Sequence, residues 1–318
     1  FGFFQISTTL WVTGSFDNPA GFAACLCAGF PFVGFLLSDS NKYIRYVGGL
    51  IGFVIVIAVI LSQSRAGIMS IAFICFILLN MKFFHKRWVK YLSLLCFALL
   101  LSGCYWMKKD SADGRLLIWR CSVSMVKDAP WLGHGIGSFE ARYMDYQADY
   151  FRQYGLNRYS MLADNVKHPF NEYLGVLLNF GFVGLLMILA LITLLIYCYK
   201  KHPCAEKRIA FYSLISIGVF SFFSYTFTYP FTWIVTFLCI IILTKEYIAK
   251  VFTCPIIKNT VCIFILLCSF WGIYNLVKRV MAEKEWGNTS RLALCGASGK
   301  TLPAYAELEK KFENNPYF

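Results

Sequence analysis

Eight stretches of the chain are apolar over enough consecutive positions to predict membrane helices. They lie at about 20 to 37, 46 to 62, 66 to 80, 91 to 106, 171 to 198, 209 to 227, 232 to 244 and 260 to 277. A spanning helix needs about 20 residues, and the shorter runs are read as thin-spanning or partly re-entrant. Two longer polar stretches remain, a loop at about 107 to 168 and a tail from 278 to 318. Within the loop, "LLIWRCSVSMV" carries apolar residues at helical spacing, which predicts short helices lying over the membrane face. The tail ends in "LPAYAELEKKFENNPYF", an amphipathic helix stopped by Asn-Asn-Pro and a possible start of a helical repeat region. The pattern therefore predicts an all-α, polytopic membrane protein. A membrane domain is expected over 1–277, including the loop at 107–168, with an outward-facing tail over 278–318.

Composition agrees with this pattern. Hydrophobic residues make up 58% of the 318 positions and charged residues 15%, against about 25% charged in a soluble domain. A soluble globular fold is excluded. The net charge of +13 does not point to nucleic acid, because that reading needs a basic face on a soluble module and most of these charges separate apolar runs. Its meaning is topological. If the segments alternate, thirteen Lys and Arg residues fall on one side, in the connections at 38–45, 80–90, 199–208 and 245–258, against only Arg65 in the short connections of the other. The thirteen-residue side is read as cytoplasmic. The N-terminal stretch, the turn at 62–65, the long loop and the tail then face the periplasm.

Most of the 13 cysteines sit inside apolar stretches, where cysteine acts as a small hydrophobe. Neither a CxxC pair nor zinc spacing occurs, so no metal site, cofactor or disulfide framework is expected. The chain opens on Phe1 with no charged segment ahead of an apolar one, and is read as lacking its native start.

Several polar residues then stand out. Arg65, in "SQSRAGIMS", sits at the tip of a tight hairpin, where it is either an interface anchor or an anion contact. Arg115 and Arg120 lie early in the outer loop, and guanidinium forks match phosphate oxygens, although each alone is more often a solvated or salt-bridged surface arginine. The glycine-rich "GHGIGSF" at 133–139 lacks nucleotide-loop spacing and reads as a tight turn with a structural His134. His85 and His202 lie in the basic connections and are expected to be solvated. His168, in "NVKHPFNEY", falls on the same side as Arg65 and Arg115, where a near-neutral imidazole could accept a proton from a hydroxyl or simply cap a helix. Asn171 and Glu172 follow at the helix mouth, with Pro169 suited to a first turn.

Taken in order, "TGSFDNPAGFA", "SQSRAGIMS", "DGRLLIWRCSVSMVKDAPWLGHGIGSF" and "HPFNEYLGVLLNFGFVGLLMI" resemble the O-antigen ligase and polymerase superfamily, over about residues 10 to 200. With "FDNPAGFA" and a tail leading toward tetratricopeptide-like helices, the chain looks most like members from Bacteroidetes. The resemblance implies a many-helix enzyme of the GT-C type in the bacterial inner membrane. It would transfer a glycan from undecaprenyl diphosphate to a hydroxyl on lipid A core, a growing polysaccharide or a protein Ser/Thr, without a metal. The family's motif arginines map onto Arg65 and Arg115, holding the diphosphate, and its motif histidine maps onto His168, the base. Arg120, Asn171, Glu172 and Asn18 are the further substrate-contact candidates. The chain departs from the family's adjacent polar pair near the histidine, since two residues separate His168 from Asn171. A lipid-linked-glycan transporter is the rival from another class, but it needs charged residues in mid-span and related half-bundles, and neither is visible. A structural scaffold presenting a repeat domain would not require His168.

Overall fold

A computed structural model describes residues 12–16, 18–82, 87–107, 109–251, 255–295 and 298–311. His85 and the Asn-Asn-Pro stop of the tail lie outside the described residues. Among the described residues the structure is helical, with no strand. Five helices among the described residues are long and apolar enough to cross a membrane, with shorter apolar helical stretches at Arg65–Leu78 and Trp88–Leu100. The chain divides into two compact units, Phe1–Lys245 and Glu246–Phe318.

In the first unit, α1 (Pro19–Gly29) starts on Asn18, whose side-chain oxygen accepts from the Gly21 N–H at 3.0 Å, with Pro19 in the first turn. Pro31 lacks an N–H to continue the ladder, so the chain passes through a 3₁₀ turn at Phe30–Phe32 into the short α2 (Val33–Leu37). The apolar helices α3 (Lys42–Leu61) and α4 (Arg65–Lys82) are joined by a tight turn at 62–64. Next come α5 (Arg87–Met107), α6 (Lys109–Asp128), α7 (Ser138–Tyr154), α8 (Glu172–Lys201), α9 (Ala205–Phe223) and α10 (Pro230–Val251). The expected loop at 107–168 thus contains two substantial helices, α6 with 20 residues and α7 with 17, rather than short ones.

One of the expected spanning runs, at 209–227, falls on α9, which is not among the five apolar spans. The reason is Glu206, Lys207 and Arg208 in its first turn, which leave too short an apolar run, and its serines face other helices rather than lipid. Ser213 Oγ donates to the Ala28 carbonyl at 2.6 Å, Ser216 Oγ to the Cys27 carbonyl at 2.7 Å, and Ser70 Oγ to the Ser216 carbonyl at 2.8 Å. Ala23, Ala24, Cys27 and Gly67 let α1, α4 and α9 approach closely around these bonds. Small residues and side-chain hydrogen bonds of this kind hold helices together where lipid removes the hydrophobic driving force.

Gly181 breaks α8, with φ of 61° and ψ of −158° inside an otherwise helical run. The segment 130–135 fills the break. His134 N–H donates to the Leu178 carbonyl at 2.7 Å and Gly135 N–H to that of Asn179 at 3.1 Å, while Phe182 N–H donates to the Pro130 carbonyl at 2.8 Å and Val183 N–H to that of Trp131 at 3.2 Å. Below the splice, Leu117, Ile118, Cys121 and Met125 of α6, Phe139 and Tyr143 of α7, and Leu178 of α8 form one buried cluster. The "GHGIGSF" segment is therefore more than a turn. It repairs a helix, and His134 is bonded to the Met125 carbonyl and the Arg142 guanidinium.

In the second unit, α11 (Pro255–Leu294) runs unbroken through position 277, and α12 (Ser298–Lys311) returns against it. Ala282 and Leu308 are buried beside Trp286, and the Tyr305 hydroxyl donates to Ser290 Oγ at 3.2 Å.

A Cβ at Gly181 would stand 2.3 Å from the backbone carbon and oxygen of Trp131, which cannot move without opening the splice. The positive φ adds strain. Gly181→Ala is expected to cost about 3 kcal/mol or more, read as a lowered melting temperature of the purified chain. Gly272→Ala, with open space around it, should not lower it.

Candidate functional site

The site residues come from three elements that meet at the same end of the first unit. Arg65 opens α4 directly after a turn in which Gln63 is forced to φ of 51°. Ser64 Oγ accepts from the Gly67 N–H at 3.3 Å and caps the helix. This places the Arg65 guanidinium beside α6, where Nη2 donates to Ser111 Oγ at 2.9 Å.

Arg115, on α6, reaches across to the end of α9. Its Nη1 donates to the Phe223 carbonyl at 2.6 Å, one of the carbonyls that a helix end leaves without an internal partner. The guanidinium also lies over the Phe170 ring, 5.0 Å from its centroid. Burial and the neighbouring Arg65 charge lower the Arg115 pKa to about 10, with Tyr225 opposing them. It stays protonated at neutral pH. Among the described residues no carboxylate is within ion-pair distance of Arg115. Arg65 and Arg115 line a cavity of about 210 Å³ together with Met69, Leu116, Trp119 and Phe223.

His168 sits on the far side of the Phe170 and Phe223–Tyr225 wall. The loop that carries it is pinned by Trp119 Nε1, which donates to the Pro169 carbonyl at 2.9 Å. Phe170 then takes φ of 52°, in the left-handed region that a bulky side chain avoids. The imidazole stacks on the Tyr225 ring, with centroids 4.8 Å apart and planes at 29°, and Phe170 meets Tyr225 edge-on at 5.3 Å. Burial lowers the His168 pKa below its usual 6.5. Lys167 lowers it further, and Glu140 partly offsets both. His168, Lys167, Tyr225, Tyr229, Phe16, Ser15 and Asn18 border a second cavity of about 610 Å³. Phe170 borders it too and stacks under Arg115, so the two cavities share a wall.

The remaining candidates are placed differently. Asn18 lines the larger cavity, but its amide is engaged three ways: it caps α1, its oxygen accepts from the Tyr229 hydroxyl at 3.1 Å, and its nitrogen donates to the Tyr225 hydroxyl at 3.2 Å. Asn171 caps α8, accepting from the Leu174 N–H at 3.0 Å. Glu172 Oε1 accepts from the Phe227 N–H at 2.7 Å and holds the segment after α9. Neither borders the two cavities. Arg120 projects elsewhere on α6, donating to the Tyr150 hydroxyl at 3.4 Å and lying 5.2 Å from the Tyr159 centroid. Among the described residues no cluster of three or more His, Cys, Asp or Glu side chains is placed to hold a metal ion.

Residues 50–189 match the family model for O-antigen ligase. They form an O-antigen ligase family domain. Arg65, Arg115 and His168 all fall within it, whereas Asn18, Tyr225 and Tyr229 fall outside. No curated protein matches the chain. The O-antigen ligase match and the apolar helices together point to a multi-pass membrane protein and to glycosyltransferase-like chemistry on glycan substrates.

Tyr225 is the residue that sequence reasoning missed. Its signal is the stretch "SYTFTYPF" at 224–231, where aromatic residues alternate with Ser, Thr and Pro between two apolar runs. Read as the ends of membrane helices, these aromatics looked like ordinary apolar bulk.

Asn18→Ala removes a helix cap and its bonds to two tyrosine hydroxyls, with an expected cost of about 2 kcal/mol. Asn171→Ala removes only a cap, about 1 kcal/mol. Melting of the two purified variants checks the order.

Proposed function

We propose that the protein is a GT-C type transferase of the bacterial inner membrane that moves a glycan from undecaprenyl diphosphate to a hydroxyl on the periplasmic face. The observation that carries this reading is the shared wall. A cavity holding Arg65 and the half-buried, carboxylate-free Arg115 adjoins one that presents His168.

The chemistry fits the two sides. The donor diphosphate lies against Arg65 and Arg115, whose fixed positive charge stabilises the anion as it leaves. The anomeric carbon–oxygen bond to the diphosphate breaks. A new bond forms to the acceptor oxygen on the opposite face of the sugar, with inversion, and His168 accepts the hydroxyl proton. Undecaprenyl diphosphate is the leaving group, and no metal takes part. The smaller cavity is lined by Met69, Leu116, Trp119 and Phe223, apolar surroundings that strengthen the arginine–phosphate attraction by excluding water. The aromatic wall of the larger cavity, with Phe16, Tyr225 and Tyr229, suits the flat faces of sugar rings and favours a carbohydrate acceptor of the lipid A core type. A growing polysaccharide and a Ser/Thr peptide are the competing acceptors. Asn18, Asn171 and Glu172 act by holding the walls, and Arg120 contacts glycan farther out along α6.

Purified protein supplied with a lipid-linked glycan and these three acceptors in competition tests the reading. His168→Ala is expected to lower kcat by about 10² to 10⁴, and Arg115→Lys to lose the forked phosphate contact despite keeping the charge. Full transfer by a folded His168→Ala protein would refute the base assignment. Passage of the lipid-linked glycan across vesicles with no bond formed would make the protein a transporter.

The pH dependence has a definite sign. A base must be neutral to accept a proton, and the His168 pKa lies below its usual 6.5. Transfer should therefore be at its plateau at pH 7 and fall only as pH drops through that lowered value, read from kcat/KM against pH.

A further inference from the structure

The loop that repairs α8 also carries an exposed apolar patch. Trp131, Leu132 and Ile136 are 69%, 75% and 84% exposed. Beside them on α8, Phe180, Phe182 and Val183 are exposed as well, and the Trp131 and Phe182 rings meet edge-on at 6.1 Å. An exposed patch of this kind marks an interaction surface.

Its depth follows from α8. The helix closes on Lys200 and Lys201, with Lys201 bonded to the Tyr197 hydroxyl at 3.0 Å, a basic and aromatic end suited to a membrane boundary. From Lys200 back to Gly181, at about 1.5 Å per residue, the helix covers about 30 Å, the thickness of a bilayer's hydrocarbon core. The break and the loop spliced into it therefore stand at the opposite boundary, the depth that tryptophan prefers.

The loop is also built for a place with little water. Its amides at Gly133, His134 and Gly135 and its carbonyls at Pro130, Trp131, Gly135 and Gly137 all have backbone partners, as a segment near hydrocarbon requires. His134 is the only titratable side chain between Ala129 and Gly137, and it turns inward to the Met125 carbonyl and Arg142. The exposed face is continuous with Leu186, Met187 and Leu189 of the spanning part of α8.

We propose that residues 130–136 are a membrane anchor, seated at the headgroup–acyl boundary of the leaflet opposite the lysine end of α8, with the bilayer itself as the partner of Trp131, Leu132 and Ile136. The anchor ties the depth of the α6–α7 segment to the lipid surface. It does not depend on which reaction the protein catalyses.

The full chain, in vesicles of phosphatidylethanolamine and phosphatidylglycerol with bromine on the acyl chains either near the headgroup or near mid-bilayer, provides the test. Tryptophan emission of the unaltered protein minus that of Trp131→Phe isolates Trp131 among the eight tryptophans. The expected result is loss of the Trp131 signal to shallow bromines, a smaller loss to deep ones, and little loss to acrylamide in the water. Ile136→Trp in the otherwise unaltered chain adds a second reporter that must behave the same way, which covers a failure of Trp131→Phe to insert. Quenching by acrylamide but not by bromolipid would put the loop in water and overturn the proposal. Protection from both would mean that another protein surface, such as a second copy of the chain, covers the patch, and would overturn it equally.

Discussion

A membrane helix cannot break unless its freed backbone groups find new partners, because lipid offers none. At Gly181 those partners come from residues 130–135, and the rest of the outer structure hangs on that exchange. It fixes the end of α6 against α8, with Leu117, Ile118 and Met125 buried against Leu178. With α6 fixed, Arg115 reaches the Phe223 carbonyl and Trp119 reaches the Pro169 carbonyl. One splice between backbones therefore orients both the cationic and the imidazole sides of the site.

The wall between the cavities separates two electrostatic problems. In the proposed transfer, a diphosphate on one side needs positive charge that stays put. Arg115 supplies it at the cost of partial burial, with a backbone carbonyl and a ring face as its support. On the other side the proposed acceptor hydroxyl needs a base that is neutral at physiological pH, and burial of His168 favours the uncharged ring. A carboxylate between them would neutralise the first and favour the charged form of the second. Aromatic side chains at Phe170 and Tyr225 keep the two apart without adding charge.

Much of this was legible in the sequence. Apolar runs near the length of a bilayer marked the helices, and the placement of lysines and arginines put Arg65, Arg115 and His168 on one side before any contact was known. The family match then fell over the same three residues. What stayed hidden depends on partners distant in the chain. "NFGFVGLL" contains two glycines in an unbroken apolar run, and nothing local says that Gly181 rather than Gly184 opens the helix. That choice is made by residues 130–135, some 50 positions earlier. Asn18 and Tyr225 are 207 residues apart, so their bond left no spacing to read. The serines of α9 gave no sign of their partners either, since the acceptors are carbonyls of α1, at Ala28 and Cys27, 185 and 189 positions earlier.

Gln63 and Phe170 both hold left-handed backbone angles, each two residues from a charged or basic group, Arg65 in one case and His168 in the other. Long membrane helices slide and tilt as the bilayer thickens and thins. A side chain borne on a tight turn follows the geometry of that turn instead, because its neighbours' torsions are already at the edge of what sterics allow. At both positions a constrained turn, rather than the helix alone, sets where the functional side chain leaves the backbone.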